Sequence, residues 1–320
     1  MTMTTASSEL DEALLRRIGA DRIAEREHKV RRRNFWSAMT FMAPAIVLVG
    51  GLLLYPVVFN VYLSLTDWRK FTGLDTFVGL KNYERLFNQI YFAQAAVNTM
   101  IWVVASLIVP VALGLGIAIL LKGIRFENAF KNLIFLPRVL APTAVGVIWY
   151  YVYAPSGLLN YMLSFVTGEP VAVGWLYQDN TVTAAIIATH VWQTVGIVMV
   201  LLLLGLAAIP RDPVEAAQMD GAKPWQTYLH VVLPLLTPTL VVVTIISVLA
   251  GFTAFDLLWV MGAGYPGQRT LSLVVFMYFE AFQKGGWAFG GAVAVVIGGL
   301  VLLVTWLQAL LQARAECMVR

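Results

Sequence analysis

Six long apolar stretches constrain the fold of this chain more than any other feature of its sequence. Their cores contain no Asp, Glu, Lys or Arg, and a helix needs about 20 mostly apolar residues to cross the hydrocarbon core of a bilayer. The stretches cover residues 39–66, 97–121, 139–153, 182–209, 229–251 and 289–312. The third is short, and we extend it back past Arg138 to residue 133. The pattern predicts an all-α membrane protein with six transmembrane helices.

The composition disfavours most other classes of protein. Of the 320 residues, 59% are hydrophobic and 12% are charged, whereas soluble domains have roughly 45–50% apolar and about 25% charged residues. A water-soluble globule of this size cannot hide such an excess, which argues against a soluble enzyme, a disordered chain and a secreted disulfide scaffold. The single cysteine, Cys317, allows neither an internal disulfide nor a cysteine-based metal site. We therefore expect no metal site and no catalytic residues.

The distribution of basic residues predicts the orientation of the chain in the membrane. With the N-terminus inside, the cytoplasmic segments 1–38, 122–132, 210–228 and 313–320 hold 15 Lys and Arg residues, and the opposite segments hold 6. Cytoplasmic loops carry the excess of Lys and Arg, so both termini are predicted to be cytoplasmic. In such a chain the net charge of +4 indicates topology rather than binding of nucleic acid.

The two ends of the chain and one internal segment are not predicted to span the membrane. Residues 1–38 are too charged for a cleavable signal peptide. They predict a cytoplasmic helix that either lies at the membrane surface or docks a partner. Residues 313–320 are a short cytoplasmic tail. The segment 252–288 is apolar, but several glycines, Pro266 and four charged residues interrupt it. It is predicted to be an interfacial or re-entrant element rather than a seventh span.

The loop over 210–234 has clear helix signals. Asp212 is a good N-cap, Pro213 suits the first helical position, and Glu215 completes a capping box. Gly221 is a helix stop that tolerates a left-handed backbone, and Pro224 can begin a second helix. The loop therefore predicts a short helix, a glycine turn and another helix on the cytoplasmic side.

Such a helix pair is either a rigid projection that docks into another protein or only a connector. Ala216 and Ala217 allow a partner to approach closely. The segments Glu215-Ala216-Ala217, Asp220-Gly221-Ala222 and Leu233-Pro234 resemble the EAA loop of the permeases of ABC importers. In that family the loop inserts into a cleft of the cytoplasmic ATPase.

Other motifs resemble the sugar-permease branch of this family, which transports maltose, glycerol phosphate and related compounds. They lie at Ala43-Pro44, at Tyr55-Pro56, over 63–68, over 77–83 and at Phe255-Asp256. The family's usual Gly-Gly-Pro is Gly264-Tyr265-Pro266 here. The resemblance covers about residues 39–312, and the short outer loops are similar to those of the compact six-span members.

The resemblance implies a type I importer fold and a place in the bacterial inner membrane. It implies four kinds of partner: a second homologous permease, two ABC ATPases, a periplasmic or lipid-anchored substrate-binding protein, and membrane lipid. The chain has no phosphate-binding loop of the Gly-x4-Gly-Lys-Ser/Thr type, so ATP and Mg are expected on the ATPases and no cofactor on this chain. The expected function is a non-enzymatic permease for a sugar or glycoside. The residues implied in coupling to the ATPase are Asp212, Glu215, Ala216, Ala217, Asp220, Gly221 and Pro234.

A sugar site within the bilayer needs hydrogen-bonding groups and aromatic faces on the spans. Polar side chains are costly there unless they face a cavity or another helix. The candidates that would line a substrate cavity are Trp149, Tyr150, His190, Trp192, Gln193, Thr244, Ser247, Phe252 and Asp256. Each also has a packing interpretation, since Ser and Thr often bond neighbouring helices and Trp and Tyr often mark the membrane interface. Four glycines are expected to allow close helix contacts: Gly114, Gly116, Gly146 and Gly196.

Two other functions compete with an ABC permease. An ion-coupled secondary carrier for carbohydrate would need a buried Asp, Glu or Lys near the midplane. None of the six cores has one, and His190 is the only titratable candidate near mid-depth. A non-transporting scaffold has no support beyond the charged N-terminal segment.

Overall fold

The computed structural model describes residues 34–69, 73, 74, 76–178, 181–262, 267 and 270–319, with side chains as far as residue 310. Of the N-terminal helix predicted over 1–38, residues 1–33 lie outside the described residues, as does the Gly264-Tyr265-Pro266 turn. The chain divides into two compact units, Met1–Phe59 and Asn60–Arg320. In the described part the only β-structure is an isolated bridge between Thr66 and Phe77, so the all-α prediction is confirmed.

Fourteen helical segments follow one another along the described chain. They are α1 (Asn34–Ser64), α2 (Lys81–Phe87), α3 (Ile90–Leu121), α4 (Glu127–Val139), α5 (Pro142–Val152), α6 (Leu158–Thr167), α7 (Val182–Ala207), α8 (Arg211–Met219), α9 (Pro224–Thr227), α10 (Leu233–Leu235), α11 (Thr237–Phe252), α12 (Asp256–Met261), α13 (Leu273–Tyr278) and α14 (Trp287–Val319).

Among the residues that the structure describes, five helical stretches are long and apolar enough to cross a bilayer. They are Asn34–Ser64, Ile90–Leu121, Val182–Ala207, Thr237–Met261 and Trp287–Leu310. The bent pair α4 and α5 makes a sixth span if its two halves count as one. The last helix continues to Val319, so residues 313–319 of the expected tail extend that helix.

The third span is broken rather than straight. Helices α4 and α5 meet at an angle of 97°, and Leu140 and Ala141 between them have extended backbones, with ψ of 139° and 135°. Pro142 explains the break, because a proline disfavours the helical conformation of the residue before it. Pro142 then occupies the first turn of α5, where its missing N–H carries no cost.

The fifth span begins later and ends later than predicted. A π-helical turn over Tyr228–Val232 precedes α10, and the span-length stretch runs from Thr237 to Met261 with a short break before α12. Pro234 accounts for part of this irregularity, because it has no N–H for the helical ladder. Further along the predicted interfacial segment, the described residues form α13 and a π-helical turn over Phe279–Gln283. This apolar helix is too short to span a bilayer.

Two apolar clusters join the spans of the second unit. One contains Trp102 of α3, Ile186 of α7 and Leu258 of α12. The other contains Ala118 of α3, Leu202 of α7, and Val232 and Leu236 around the start of the fifth span. The same two helices, α3 and α7, thus contribute to both clusters and connect them.

Glycines allow close crossings of the spans, as predicted for three of four positions. A Cβ built on Gly114 would lie 2.7 Å from Val198, one on Gly146 3.1 Å from Val260, and one on Gly196 2.3 Å from the carbonyl oxygen of Ile134. Gly116 is different, since nothing lies within 4 Å of its Cβ position. The prediction for Gly116 is therefore wrong, because this residue faces away from neighbouring helices.

The 77–83 motif holds the end of the first span. The buried Asn82 donates hydrogen bonds from Nδ2 to the carbonyl oxygens of Ser64 (2.8 Å) and Thr66 (2.7 Å). The Tyr83 and Ser64 hydroxyls lie 2.7 Å apart. These bonds satisfy carbonyls that a helix C-terminus leaves without partners, so the motif closes the first span.

Candidate functional site: the coupling helix and the predicted substrate path

The loop over 210–234 forms a short helix that begins earlier than predicted. Helix α8 runs from Arg211 to Met219 after Pro210, whose ψ of 148° is not helical. Asp212 is therefore inside the first turn and makes no side-chain cap, so its prediction as the N-cap is wrong. The first N–H groups of a helix have no partners within it. Pro213, which has no N–H, can therefore occupy the third helical position instead of the predicted first. Asp212 remains favourably placed for the positive end of the helix dipole.

A glycine ends this helix in the predicted way. Gly221 has a φ of 79°, in the left-handed region that residues with a Cβ rarely adopt. Its N–H donates to the carbonyl of Gln218, and the N–H of Ala222 donates to the carbonyl of Ala217, both at 3.0 Å. This pair of bonds is the Schellman motif, and it explains why an Asp-Gly-Ala segment follows Glu-Ala-Ala at this spacing.

The second helix of the loop begins at Pro224, as predicted. The side-chain oxygen of Gln226 accepts a hydrogen bond of 2.8 Å from the backbone N–H of Lys223 and so caps the helix. From Pro224 the helical backbone continues through the π-helical turn to Leu235, and α11 follows after one residue. The projection is thus joined to the fifth span without an intervening loop.

The exposure of α8 divides it into an anchored side and an outer side. Val214 packs against the apolar cluster around Ala118, Leu202 and Leu236. Glu215, Ala216 and Met219 are exposed, Ala217 is half-buried, and Met219 is the most open of them at 88%. A cleft of about 510 Å³ separates α8 from the end of the second span. The residues that line it include Lys122, Arg211, Glu215, Gln218 and Tyr228.

The remaining residues predicted to couple to the ATPase are also on the surface. Asp220 is exposed at the C-terminal end of α8, directly before Gly221. Pro234 is exposed within α10. Accessible positions therefore follow one another along α8 and its glycine turn, whereas Pro234 is exposed separately in α10.

The predicted substrate residues fall into several groups. The Trp149 and Trp192 rings contact edge to face with centroids 5.4 Å apart, and the hydroxyl of Tyr150 lies 2.8 Å from that of Tyr177. His190 is buried and contacts Trp102, with ring centroids 5.6 Å apart. Trp149 and Tyr150 are half-buried and Trp192 is exposed.

Other predicted substrate residues are used inside the fold. Gln193 is 2% exposed and donates a hydrogen bond to the carbonyl of Leu140. Ser247 and Phe252 are buried, and Thr244 is half-buried. Asp256 is exposed in the first turn of α12.

One aromatic group was missed by the sequence reasoning. Phe255, Trp259 and Tyr278 contact one another in pairs, with ring centroids 4.9–5.8 Å apart. The spacing of four between Phe255 and Trp259 places them on one helical face and was available as a signal. Tyr278 comes from a different helix, and no local pattern predicts its contact with the other two.

Comparisons with known proteins identify relatives of this chain. The family described as "Binding-protein-dependent transport system inner membrane component" matches residues 108–316. The chain is 34% identical over 271 residues to the osmoprotective compounds uptake permease protein GgtC of Synechocystis, covering 82% of this chain and 94% of GgtC. It is 31% identical over 289 residues to the multiple sugar-binding transport system permease protein MsmF of Streptococcus mutans, covering 88% and 97%.

A solved structure has a similar fold. It is a chain of a bacterial ABC transporter involved in the import of the acidic polysaccharide alginate, with a TM-score of 0.76 and 20% sequence identity. The match covers 90% of this chain and 99% of that one. The predicted type I importer fold and the resemblance to ABC importer permeases are confirmed. The chain belongs to the family of binding-protein-dependent transport system inner membrane components, which are multi-pass membrane permeases of ABC transporters.

Proposed function

We propose that this chain is one of two homologous permeases of an ATP-driven importer for a sugar or glycoside. Two ABC ATPases, which bind ATP and Mg, and an external substrate-binding protein complete the assembly. The names of the relatives support a carbohydrate. Besides MsmF, they include the alpha-glucoside transport system permease protein AglF of Rhizobium meliloti, which is 33% identical over 272 residues, covering 82% of this chain and 78% of AglF.

The observation that carries the proposal is the exposed helix α8. Its outer side presents Glu215, Ala216 and Met219, and the small side chain of Ala216 near an open methionine suits insertion into a groove of another protein. The Schellman turn at Gly221 fixes the end of the helix. Because the projection is rigid, a displacement of the ATPase would move it as a unit.

The anchored side of α8 offers a route for this displacement into the membrane. Val214 contacts the cluster that joins α3, α7 and the start of the fifth span, and closely packed interiors transmit strain instead of absorbing it. We infer that closure of the ATPases moves α8 and shifts these three spans together. Such rearrangements switch between discrete packings, which is the form that alternating access requires.

Aromatic side chains offer the best candidates for contact with a sugar. Trp149 and Trp192 form one pair, and Phe255, Trp259 and Tyr278 form a second group. Large amphipathic rings supply contact area together with a polar edge. We propose that these two groups contact the sugar rings, while His190 and Gln193 hold the helices that carry them.

The energy source is tested with the assembled transporter in proteoliposomes that contain ATP and receive its binding protein loaded with a labelled α-glucoside. Uptake is expected to require ATP and to persist when an uncoupler removes ion gradients. Uptake that stops with the uncoupler at constant ATP would contradict the proposal and favour the secondary carrier.

The docking of α8 is tested by disulfide cross-linking. In a background with Cys317→Ser, Met219→Cys is expected to cross-link to cysteines introduced along the groove of the ATPase. Glu169→Cys, an exposed position between the third and fourth spans, is the matched control and is expected to give no cross-link. Equal cross-linking of both positions, or none at Met219→Cys across the whole groove, would count against a coupling role.

A further inference from the structure

Helix α6 turns its apolar side outward. Five of its side chains are apolar and between 57% and 84% exposed, namely Leu158, Tyr161, Met162, Phe165 and Val166. They recur at spacings of three and four residues and so form one stripe along the helix. An exposed apolar stripe of this kind marks contact with a partner or a membrane.

The orientation of α6 is fixed by its opposite side. Asn160 is 1% exposed. Its Nδ2 donates to the carbonyls of Ala154, Pro155 and Val173, and its Oδ1 accepts from the N–H of Val173 and the indole N–H of Trp175. This network uses the full hydrogen-bonding capacity of a buried amide. The helix therefore cannot roll to hide its stripe without breaking it.

The position of α6 places this stripe beside the membrane boundary. The helix begins six residues after Val152, the last residue of α5, and a chain of that length spans at most about 20 Å. Val147, Ile148 and Tyr151 form an exposed apolar side on α5 itself. Both the outer end of this membrane span and α6 therefore expose apolar side chains.

The chemistry of the segment favours lipid as the occupant. No Asp, Glu, Lys or Arg occurs between Tyr151 and Gly168, so a charged surface finds no complementary charge there. Helices that lie in the interface bury their apolar side at the boundary between headgroups and acyl chains, and Tyr is enriched at that depth. We propose that α6 is an interfacial helix whose stripe, Leu158 to Val166, lies in the bilayer leaflet at the outer end of the third span.

This contact gives the broken third span a support of its own. A short connection of turns follows α5, and Asn160 ties this connection to α6. A helix embedded at the interface would hold the end of α5 at a constant depth. The bend at Leu140 would then move while the outer end of α5 stays at the same depth in the membrane.

The test measures the depth of single spin labels in the complete transporter in phosphatidylcholine nanodiscs. Phe165→Cys and Glu169→Cys, each in the Cys317→Ser background, place the label on the stripe and on an exposed polar position just beyond the same helix. The label at position 165 is expected to collide several-fold more with oxygen than with a water-soluble nickel chelate. The order is expected to reverse at position 169.

Three results would overturn the proposal. The label at position 165 could collide more with the nickel chelate than with oxygen, which would place the stripe in water. Both reagents could be excluded there, which would show a protein partner. An equal ratio of oxygen to nickel-chelate collisions at positions 165 and 169 would show that the stripe lies no deeper in the membrane than the polar control position. Met162→Cys gives an independent second position on the stripe, so a local failure at residue 165 does not decide the test.

Discussion

The side-chain amide of Gln193 donates a hydrogen bond of 3.1 Å to the carbonyl oxygen of Leu140, at the break in the third span. Leu140 has an extended backbone, so its carbonyl lies outside the helical ladder. A backbone group without a partner is costly at membrane depth. The fourth span therefore supplies a donor that the broken third span lacks.

We predict that Gln193→Met destabilises the purified transporter. The substitution keeps the length of the side chain and removes the donor to Leu140, which costs about 1–3 kcal/mol for a buried acceptor. The expected result is a lower midpoint of thermal unfolding. Thr194→Val is the control, since the hydroxyl of Thr194 bonds only to the carbonyl of His190 in its own helix. Equal midpoints for Gln193→Met and wild type would contradict the bond's importance.

Gly221→Ala is expected to uncouple ATP hydrolysis from transport. A Cβ on Gly221 meets no neighbour within 4 Å, so the penalty comes from the left-handed backbone, about 1–2 kcal/mol. Relief of that strain would unwind the end of α8. The measurement is uptake per ATP hydrolysed, which we expect to fall several-fold.

Gly123→Ala is the matched control for this change. Gly123 has a φ of 83° and also meets nothing within 4 Å, but it lies outside the 210–234 loop. Gly123→Ala therefore carries the same backbone penalty, and we expect it to leave the uptake per ATP hydrolysed unchanged. A similar loss of coupling in both variants would mean that general destabilisation, not α8, is responsible.

Gly196→Ala should prevent correct packing of the third and fourth spans. The added Cβ would lie 2.3 Å from the carbonyl oxygen of Ile134 and 2.8 Å from the Cα of Phe135. Backbone atoms cannot move aside as a flexible side chain does, so the helices must separate. We expect a large loss of assembled transporter by size-exclusion chromatography. Gly116→Ala, with open space around it, is expected to stay within about 0.5 kcal/mol of wild type, and a defect of equal size there would refute the packing argument.

Asn82→Ala tests the closure of the first span. The change removes both donors to Ser64 and Thr66 and leaves buried carbonyls unpaired, at about 1–3 kcal/mol for each loss. Proteolysis of the loop over 65–80 is expected to become faster. Asn88→Ala removes one exposed bond to the carbonyl of Glu84 and should leave the proteolysis rate unchanged. If both variants are cleaved alike, the 77–83 motif has another role.

Much of the architecture follows from local sequence patterns. Hydropathy located the spans, and the local signals at Gly221 and Pro224 predicted the turn and the second helix. The same signals misplaced Asp212, because Arg211 continues the helix backwards and Pro213 is tolerated anywhere in the first turn. Cap rules rank residues but leave a boundary uncertain by one or two positions.

The long-range contacts were outside the reach of local patterns. The spacing of His190, Gln193 and Thr194 puts them on one face of α7, yet it carries no information that Leu140 is the partner of Gln193. Similarly, the helical spacing of the apolar residues in α6 can be read from the sequence. The outward direction of this stripe depends on Asn160, whose partners lie as far away as Trp175. Such pairings exist only after the spans have packed.

The hydrogen bonds of Asn160 have a practical consequence for following this protein in living cells. They fasten the chain on both sides of the short exposed stretch from Thr167 to Pro170, while Gly168 and Glu169 remain open. An epitope or small reporter inserted between Gly168 and Glu169 would therefore leave the amide's contacts intact. Antibody staining of spheroplasts, whose outer membrane has been removed, would reveal which side of the inner membrane that stretch occupies.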